Sequence, residues 1–368
     1  MKKKLRKYHY KNPFAAIIIT AFFSFLMFNL QRLNFINQIQ LQTDDIHFRI
    51  FNQEALADTN IVLLAIDDNS LQFSRQNRVP WPWPRSFYAQ ILHYLKSGGA
   101  KKVLFDIQFY EPDLDRSETY AEETDSEFAS AIEETNNVVL GTLLKEDSTA
   151  FAEELLTLGK QGNIPQKYSR SFMGALSPIT TFLEANPQIG IINIEPDEDA
   201  VIRRIPLFYE LHDVNYYSFP LSAISPPLKL SLDSRDMILL DNSPLSTDRN
   251  GNYILNWYGE GGADKTFKYY SIGAVLASIR DLHLKHQPQI SPSIFKDKYV
   301  IIGTTAGGLM DLKTTPVSKV YPGMEIWATA LSNLLNGHHI IILPYWLNYL
   351  LIFIFILSNK FNLISQLT

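Results

Sequence analysis

Four aspartates are the side chains in this sequence best placed to do chemistry. Asp67 and Asp68 follow the apolar run IVLLAI at 61–66, Asp106 interrupts VLFDI, and Asp311 lies in the loop after YVIIG at 299–303. Carboxylates gathered in one place can hold Mg²⁺ or Ca²⁺ through hard oxygen ligands, or accept a cationic small molecule. The same residues can instead cap helices, accept backbone N–H bonds or pair with Arg85 and Arg203. Ligand-binding and structural readings therefore both stand for Asp67, Asp68, Ser70, Trp83, Arg85, Asp106, Arg203 and Asp311. No catalytic or metal-ligand residue is assigned, and no cofactor is expected. A carboxylate inside VLFDI is costly to bury alone, so Asp106 is expected to pair with Arg85.

Other motifs narrow the chemistry. IDDNS lacks the DxDxT spacing of a phosphotransferase. The eight histidines form no HExxH, and no GxSxG nucleophile elbow is present. GTTAGG at 303–308 could cradle an anion with its backbone amides, but no lysine follows at P-loop spacing. Trp81 and Trp83 in PWPWPR suit either a pocket wall or a rigid packed corner. His338 and His339 adjoin an apolar segment and read as interfacial. The absence of cysteine excludes disulfides, thiolate metal sites and a thiol nucleophile. No basic stripe interleaved with aromatics points to nucleic acid.

The elements that would position these residues alternate strand and helix. Ile61–Ile66 reads as a strand buried on both faces. Ser86 to Lys96 has helical spacing and is closed by Gly98-Gly99. Val103–Ile107 is the next strand, and in one sheet with the first it is parallel to it. A charged surface helix over Glu118 to Glu134 turns Phe128, Ala131 and Ile132 inward, and Val138–Leu143 is a third strand. Residues 144–187 carry no clear pattern. Ile189–Ile194, Arg204–Tyr209 and Tyr253–Tyr258 read as strands. Phe219–Ile224 is ambiguous between helix and strand. A helix over Ser271–Arg280, a last buried strand over Tyr299–Gly303 and an amphipathic helix at 322–337 follow. The fold class expected is α/β, with a largely parallel or mixed central sheet and helices on both faces.

Two apolar, uncharged segments bracket this domain. Residues 13–31 and 340–358 are each long enough to span most of a hydrocarbon core of roughly 30 Å. Lys2, Lys3, Lys4, Arg6, Lys7 and Lys11 precede the first with no acidic residue among them. That places the N-terminus in the cytoplasm and the central domain outside. A cleaved signal peptide is the competing reading, although NLQRLNF offers no small-x-small cleavage site. A buried core helix competes for the second segment, which contains Asn348. The expected organisation is a cytoplasmic stretch at 1–12, a transmembrane helix at 13–31, an extracytoplasmic domain at 40–338, a second transmembrane helix at 340–358 and a short, truncated cytoplasmic tail at 359–368.

Eight stretches in order resemble one family: DIHFR at 45–49, IDDNSL at 66–71, PWPWPRSFYAQIL at 80–92, GGAKKVLFDIQFYEP at 98–112, RRIPLFY at 203–209, ILNWYG at 254–259, YVIIGTTAGGLMDLKTTP at 299–316 and PGMEIWATAL at 322–331. They are similar to the CHASE2 extracytoplasmic sensor domain of bacterial membrane receptors. The resemblance implies a plasma-membrane protein whose main domain is periplasmic or extracellular. It also implies an unknown small-molecule or protein stimulus and a cyclase or kinase output; that output is absent here, so either the reading frame is truncated or the output belongs to another polypeptide. Dimerisation is expected by analogy with receptors of this layout. A membrane-anchored metal-dependent hydrolase using the acidic cluster, and a partner-binding structural module, are the rival functions.

Overall fold

Alternation along the buried strands builds the architecture. The computed structural model describes residues 34–51, 53–117, 119–159, 164, 168–224, 230–232, 238–240, 243–245, 247–248, 250–263, 265–307 and 311–340, plus isolated positions in the flanking segments. Residues 1–12, 359–368 and all but isolated positions of the two apolar segments lie outside these. Among the described residues no helix is long and apolar enough to cross a membrane. Residues 46–340 form one compact unit, and residues 1–45 with 341–368 form another. Helix α1 spans Asn34–Ile50.

In the larger unit, β1 (Ile61–Ile66), β2 (Lys102–Phe105), β3 (Val138–Lys145), β5 (Gly174–Leu176), β6 (Gln188–Ile191), β14 (Lys268–Ser271) and β15 (Tyr299–Thr304) form a seven-stranded sheet. Its order is β14-β1-β15-β2-β3. β3 pairs onward with β6 in parallel and with β5 in antiparallel, so the sheet is mixed. β1 and β2 are parallel as expected but not adjacent, because β15 inserts between them.

Successive side chains on a strand point to opposite faces. Val62, Leu64, Ile66, Phe105, Val300 and Ile302 enter one core, while Ile61, Leu63, Leu104, Tyr299 and Ile301 enter the other. Over the first face pack α2 (Asp68–Gln76), α3 (Arg85–Ser97), α4 (Ala121–Thr135) and α8 (Ile272–His283). Over the second pack α7 (Phe219–Ala223) and α9 (Gly323–Asn336). Short helices α5 (Glu154–Thr157) and α6 (Thr180–Glu184) occupy the stretch without a sequence pattern.

Small sheets complete the unit: β4 (Ser169–Phe172) with β8 (Phe208–Leu211) and β9 (Val214–Tyr217); β7 (Arg204–Pro206) with β13 (Asn252–Ile254); β10 (Leu230–Leu232), β11 (Ile238–Leu240) and β12 (Ser243–Pro244); and β16 (Leu312–Lys313) with β17 (Tyr321–Pro322). The strand expected over 253–258 stops at Ile254: one further amide stays in register with the segment before β7, and the next turns to α9. Leu255 N–H donates to the Arg203 carbonyl and Asn256 N–H to Asn333 Oδ1.

Helix α9 also departs from expectation. Every residue from Gly323 to Leu334 is buried, so it has no solvent face. Its polar residues have partners instead. Asn333 Nδ2 donates to the Asn256 carbonyl at 3.0 Å, and Ser332 Oγ donates to the Tyr258 hydroxyl at 2.9 Å.

Candidate functional site

Strands β1, β15 and β2 end side by side, and the chain then leaves in opposite directions. After β1 it turns into α2 on one face, whereas after β15 it runs to α9 on the other. Such a divergence opens a crevice beyond the carboxyl ends of parallel strands, where ligands of open α/β sheets bind. Asp67, Asp68, Asp106, the loop 303–307, Asp311 and Lys313 border it.

Asp67 and Ser70 are committed to structure. Asp67 caps α2: its Oδ1 accepts from Ser70 N–H at 2.8 Å, and Ser70 Oγ closes the capping box. Ser271 Oγ donates to the same Oδ1 at 2.7 Å, and Gly273 N–H donates to Ser70 Oγ at 3.0 Å. The pair thus ties the end of β1 to the β14–α8 junction. Asp68 is exposed in the first turn of α2, and its Oδ1 accepts from Gly307 N–H at 3.1 Å. The amides of Thr305 and Ala306 donate to the Ile66 carbonyl. Three amides of the GTTAGG loop are therefore already satisfied by β1 and the residues that follow it and are not free to cradle an anion.

Asp106 is the unusual member. It does not pair with Arg85. It stands beyond β2 beside Gly303 and faces α9, where the Trp327 indole donates to it. Asp106 keeps partial surface exposure, yet burial is the largest influence on its carboxyl. Burial and the neighbouring Asp311 charge push it up to about 7, against the Trp327 hydrogen bond and the Lys313 charge. Asp311 is exposed, pairs with Lys313 at 2.6 Å, and accepts at its carbonyl from Gly323 N–H at 2.8 Å. A Cβ on Gly323 would lie 2.4 Å from Asp311 Oδ2, so that carboxylate sits against the start of α9.

Arg85 is held elsewhere because it opens α3 beside the 109–125 segment. Its guanidinium lies over the Phe109 ring at 4.7 Å, 3.8 Å from Asp125, and its Nη2 donates to the Glu111 carbonyl. Its backbone N–H donates to Asp113 Oδ2 at 2.8 Å. Sequence reading missed Asp113 and Asp125, whose only signal was the run of acids in EPDLDR and ETDSE. Arg203 is also remote from the crevice, bound to Asp197 at 3.0 Å and Asp199 at 2.7 Å. Trp83 is fully buried and donates through Nε1 to Ser74 Oγ at 2.8 Å, with Trp81 edge-on to it. The Pro-Trp stretch is therefore a packed corner.

Of the eight candidate residues, Asp67, Asp68, Asp106 and Asp311 with Ser70 come together around the crevice; Trp83, Arg85 and Arg203 do not. Among the described residues no three His, Asp or Glu side chains lie close enough to hold a metal ion. A cavity of about 320 Å³ lined by Asn136, Thr157 and Gln188 lies at the opposite, N-terminal ends of β3 and β6. His338 and His339 hydrogen-bond through Nδ1 to the hydroxyls of Tyr258 and Tyr253, at 3.0 and 2.8 Å.

No curated protein and no solved structure matches the chain. The profile of the CHASE2 domain matches residues 17–359, most of the chain. With the α/β fold and the ordered motifs around the crevice, that match makes the chain a member of the CHASE2 domain family.

Proposed function

We propose that this protein is a membrane-anchored extracytoplasmic sensor that takes a small cationic ligand in the crevice beyond β1, β15 and β2. CHASE2 is an extracytoplasmic sensor domain family, and membership supports the sensor role. The basic residues before position 13 and the two uncharged apolar segments support the anchoring and the orientation. The ligand would enter a crevice bordered by four carboxylates and one lysine.

The observation that carries the reading is the path from crevice to exit. Asp311 touches the start of α9 at Gly323, Asp106 reaches Trp327 further along it, and α9 ends at Asn336, just before the apolar segment at 340–358. A ligand that binds two seatings of α9 with different affinity shifts their populations. The output would be a cyclase or kinase on a separate polypeptide, and the receptor would act as a homodimer.

The test is ligand-dependent thermal stabilisation of the full-length chain in detergent micelles, screened with amines and cationic amino acids. A saturable shift that is lost in Asp311→Asn supports the proposal. Turnover of p-nitrophenyl phosphate with Mg²⁺, abolished by the same substitution, would replace it with an anchored hydrolase. Neither a shift nor turnover would point to a partner-binding module.

A further inference from the structure

Glu325 lies in the first turn of α9 with no solvent exposure. Its Oε2 accepts two hydrogen bonds, from Gly262 N–H and from the Tyr269 hydroxyl, each at 2.7 Å. Its Oε1 is buried with no partner. The groups that face it come from three elements. Strand β14 brings the Tyr269 phenol. Strand β17 brings Tyr321, whose hydroxyl bonds Thr329 Oγ1 at 3.2 Å. The 257–263 loop brings Gly261, Gly262 and Trp257. A Cβ on Gly261 would lie 2.7 Å from the Tyr321 ring and 2.8 Å from Glu325 Oε2. The Trp257 ring meets Tyr321 edge-on at 5.3 Å, and its Nε1 is buried without an acceptor.

None of these facing groups is a cation. Among the described residues of this stretch, Glu260 and Lys265 pair with each other at 3.1 Å on the surface. A buried carboxylate lacking a cation partner is costly, and such a group tends to take up a proton instead. Burial pushes Glu325 up to about 7, against the hydrogen bonds from Tyr269 and Gly262 that favour its charged form. Burial and the Glu325 charge also push the Tyr269 and Tyr321 phenols above their ordinary range, so both stay neutral donors.

The same stretch of chain grips α9 at both ends. Near its start, Gly262 holds Glu325. Near its end, Asn256 and Tyr258 bind Asn333 and Ser332, and just beyond it Tyr253 and Tyr258 bind His339 and His338. A change at Glu325 therefore acts on the one element that runs to residue 336.

We propose that Glu325 is a proton-binding site: protonated, it seats the 259–263 loop and β14 against the first turn of α9, and ionised, it loosens them, because a buried carboxylate with no cation beside it is relieved by opening to water. The proton is taken on Oε1, the oxygen that no group already donates to. The two bonds to Oε2 are stronger to the charged form, but the burial cost that protonation removes is larger, so the neutral acid fits the closed seat better. Resting on the sensor reading above, this makes a change of extracytoplasmic pH across about 7 one stimulus of the receptor.

The test is amide hydrogen exchange of the full-length chain in micelles, corrected for intrinsic rates, from about pH 5.5 to about pH 8.5. In the wild type, protection of peptides covering 259–263 and 321–327 falls as pH rises through about 7. In Glu325→Gln the low-pH pattern persists at every pH, while β1 and β15 keep full protection and show that the variant folds. A flat wild-type profile, or the same transition in Glu325→Gln, overturns the proposal. Loss of the transition in Asp106→Asn but not in Glu325→Gln overturns it too, by moving the proton to Asp106. Exchange needs no output domain and no topology, so a failed sensor reading leaves this result standing.

Discussion

Asp113 shows how this protein makes a buried carboxylate tolerable. Burial works to raise its pKa, but hydrogen bonds from Thr124, the Arg85 and Leu114 amides and Arg116 hold it below the usual carboxylate range. Removing such a partner strands the others, so Asp113→Ala should cost about 3 kcal/mol in chemical denaturation. A double-mutant cycle with Arg116→Ala should give coupling of about 1 kcal/mol or more, and additive losses would show that the 2.9 Å contact is idle. The cycle between Arg85 and Asp106 should be additive, since Arg85 lies with Asp113 and Asp125. Asp106 and Glu325 sit on the opposite side of the ledger from Asp113. A carboxyl whose folded pKa is raised contributes stability that is complete below its unfolded value, near 4, and is lost as pH rises through about 7. Replacing either by its amide should therefore flatten the fall in melting temperature between about pH 5 and about pH 8. His339 opposes this trend, because burial and His338 lower its pKa and favour the neutral ring. The difference between wild type and each variant is thus the measurement that decides, and an unchanged slope in both would contradict the raised values. The candidate residues were visible in the sequence as residue types, but their partners were not. Pairing depends on which loops the fold brings together, and Asp106 met Trp327 and Asp311 from more than 200 positions away.

Strands and helices were the most legible scale. IVLLAI, VLF and YVII are apolar on both faces, as a doubly covered sheet requires, and each is a strand. Phe128, Ala131 and Ile132 point into the core from α4 as their spacing demands. Helix α2 was concealed because its buried positions are Ser70 and Ser74, so it carries little apolar periodicity. Helix α9 misled in the other direction: its polar residues suggested a wet face, but they serve the 256–262 loop. One glycine ties these elements to the crevice. A Cβ on Gly303 would meet Met324 Cβ at 2.9 Å and Asp106 Cβ at 3.5 Å. Gly303→Ala should therefore push α9 off the sheet, costing about 1–3 kcal/mol in denaturant titration. Stability equal to wild type would mean that α9 can shift freely, and the seat of α9 would then be too soft to carry a signal.

For the whole molecule, topology in the membrane is the decisive question. An alkaline phosphatase fused after residue 200 should be active and a β-galactosidase fused there inactive, because six basic residues precede the first apolar segment. The reverse pattern would remove the receptor reading altogether. Reconstituted in vesicles with nucleoside triphosphate and Mg²⁺, this chain should form no cyclic nucleotide above a vesicle-only control. Product above that control would place an output in the chain itself.

The sequence by itself determined the family, the α/β class and the main strands and helices, because these rest on local periodicity and on ordered motifs that survive in one dimension. The tertiary structure alone decided that β15 inserts between β1 and β2, and so that Asp106 and Asp311 meet at the start of α9 while Arg85 is drawn away. It alone decided that Glu325 is buried with one oxygen unpartnered. Strand order and burial are set by contacts between segments far apart in the chain, and the free energy of a charge depends on what those contacts place around it.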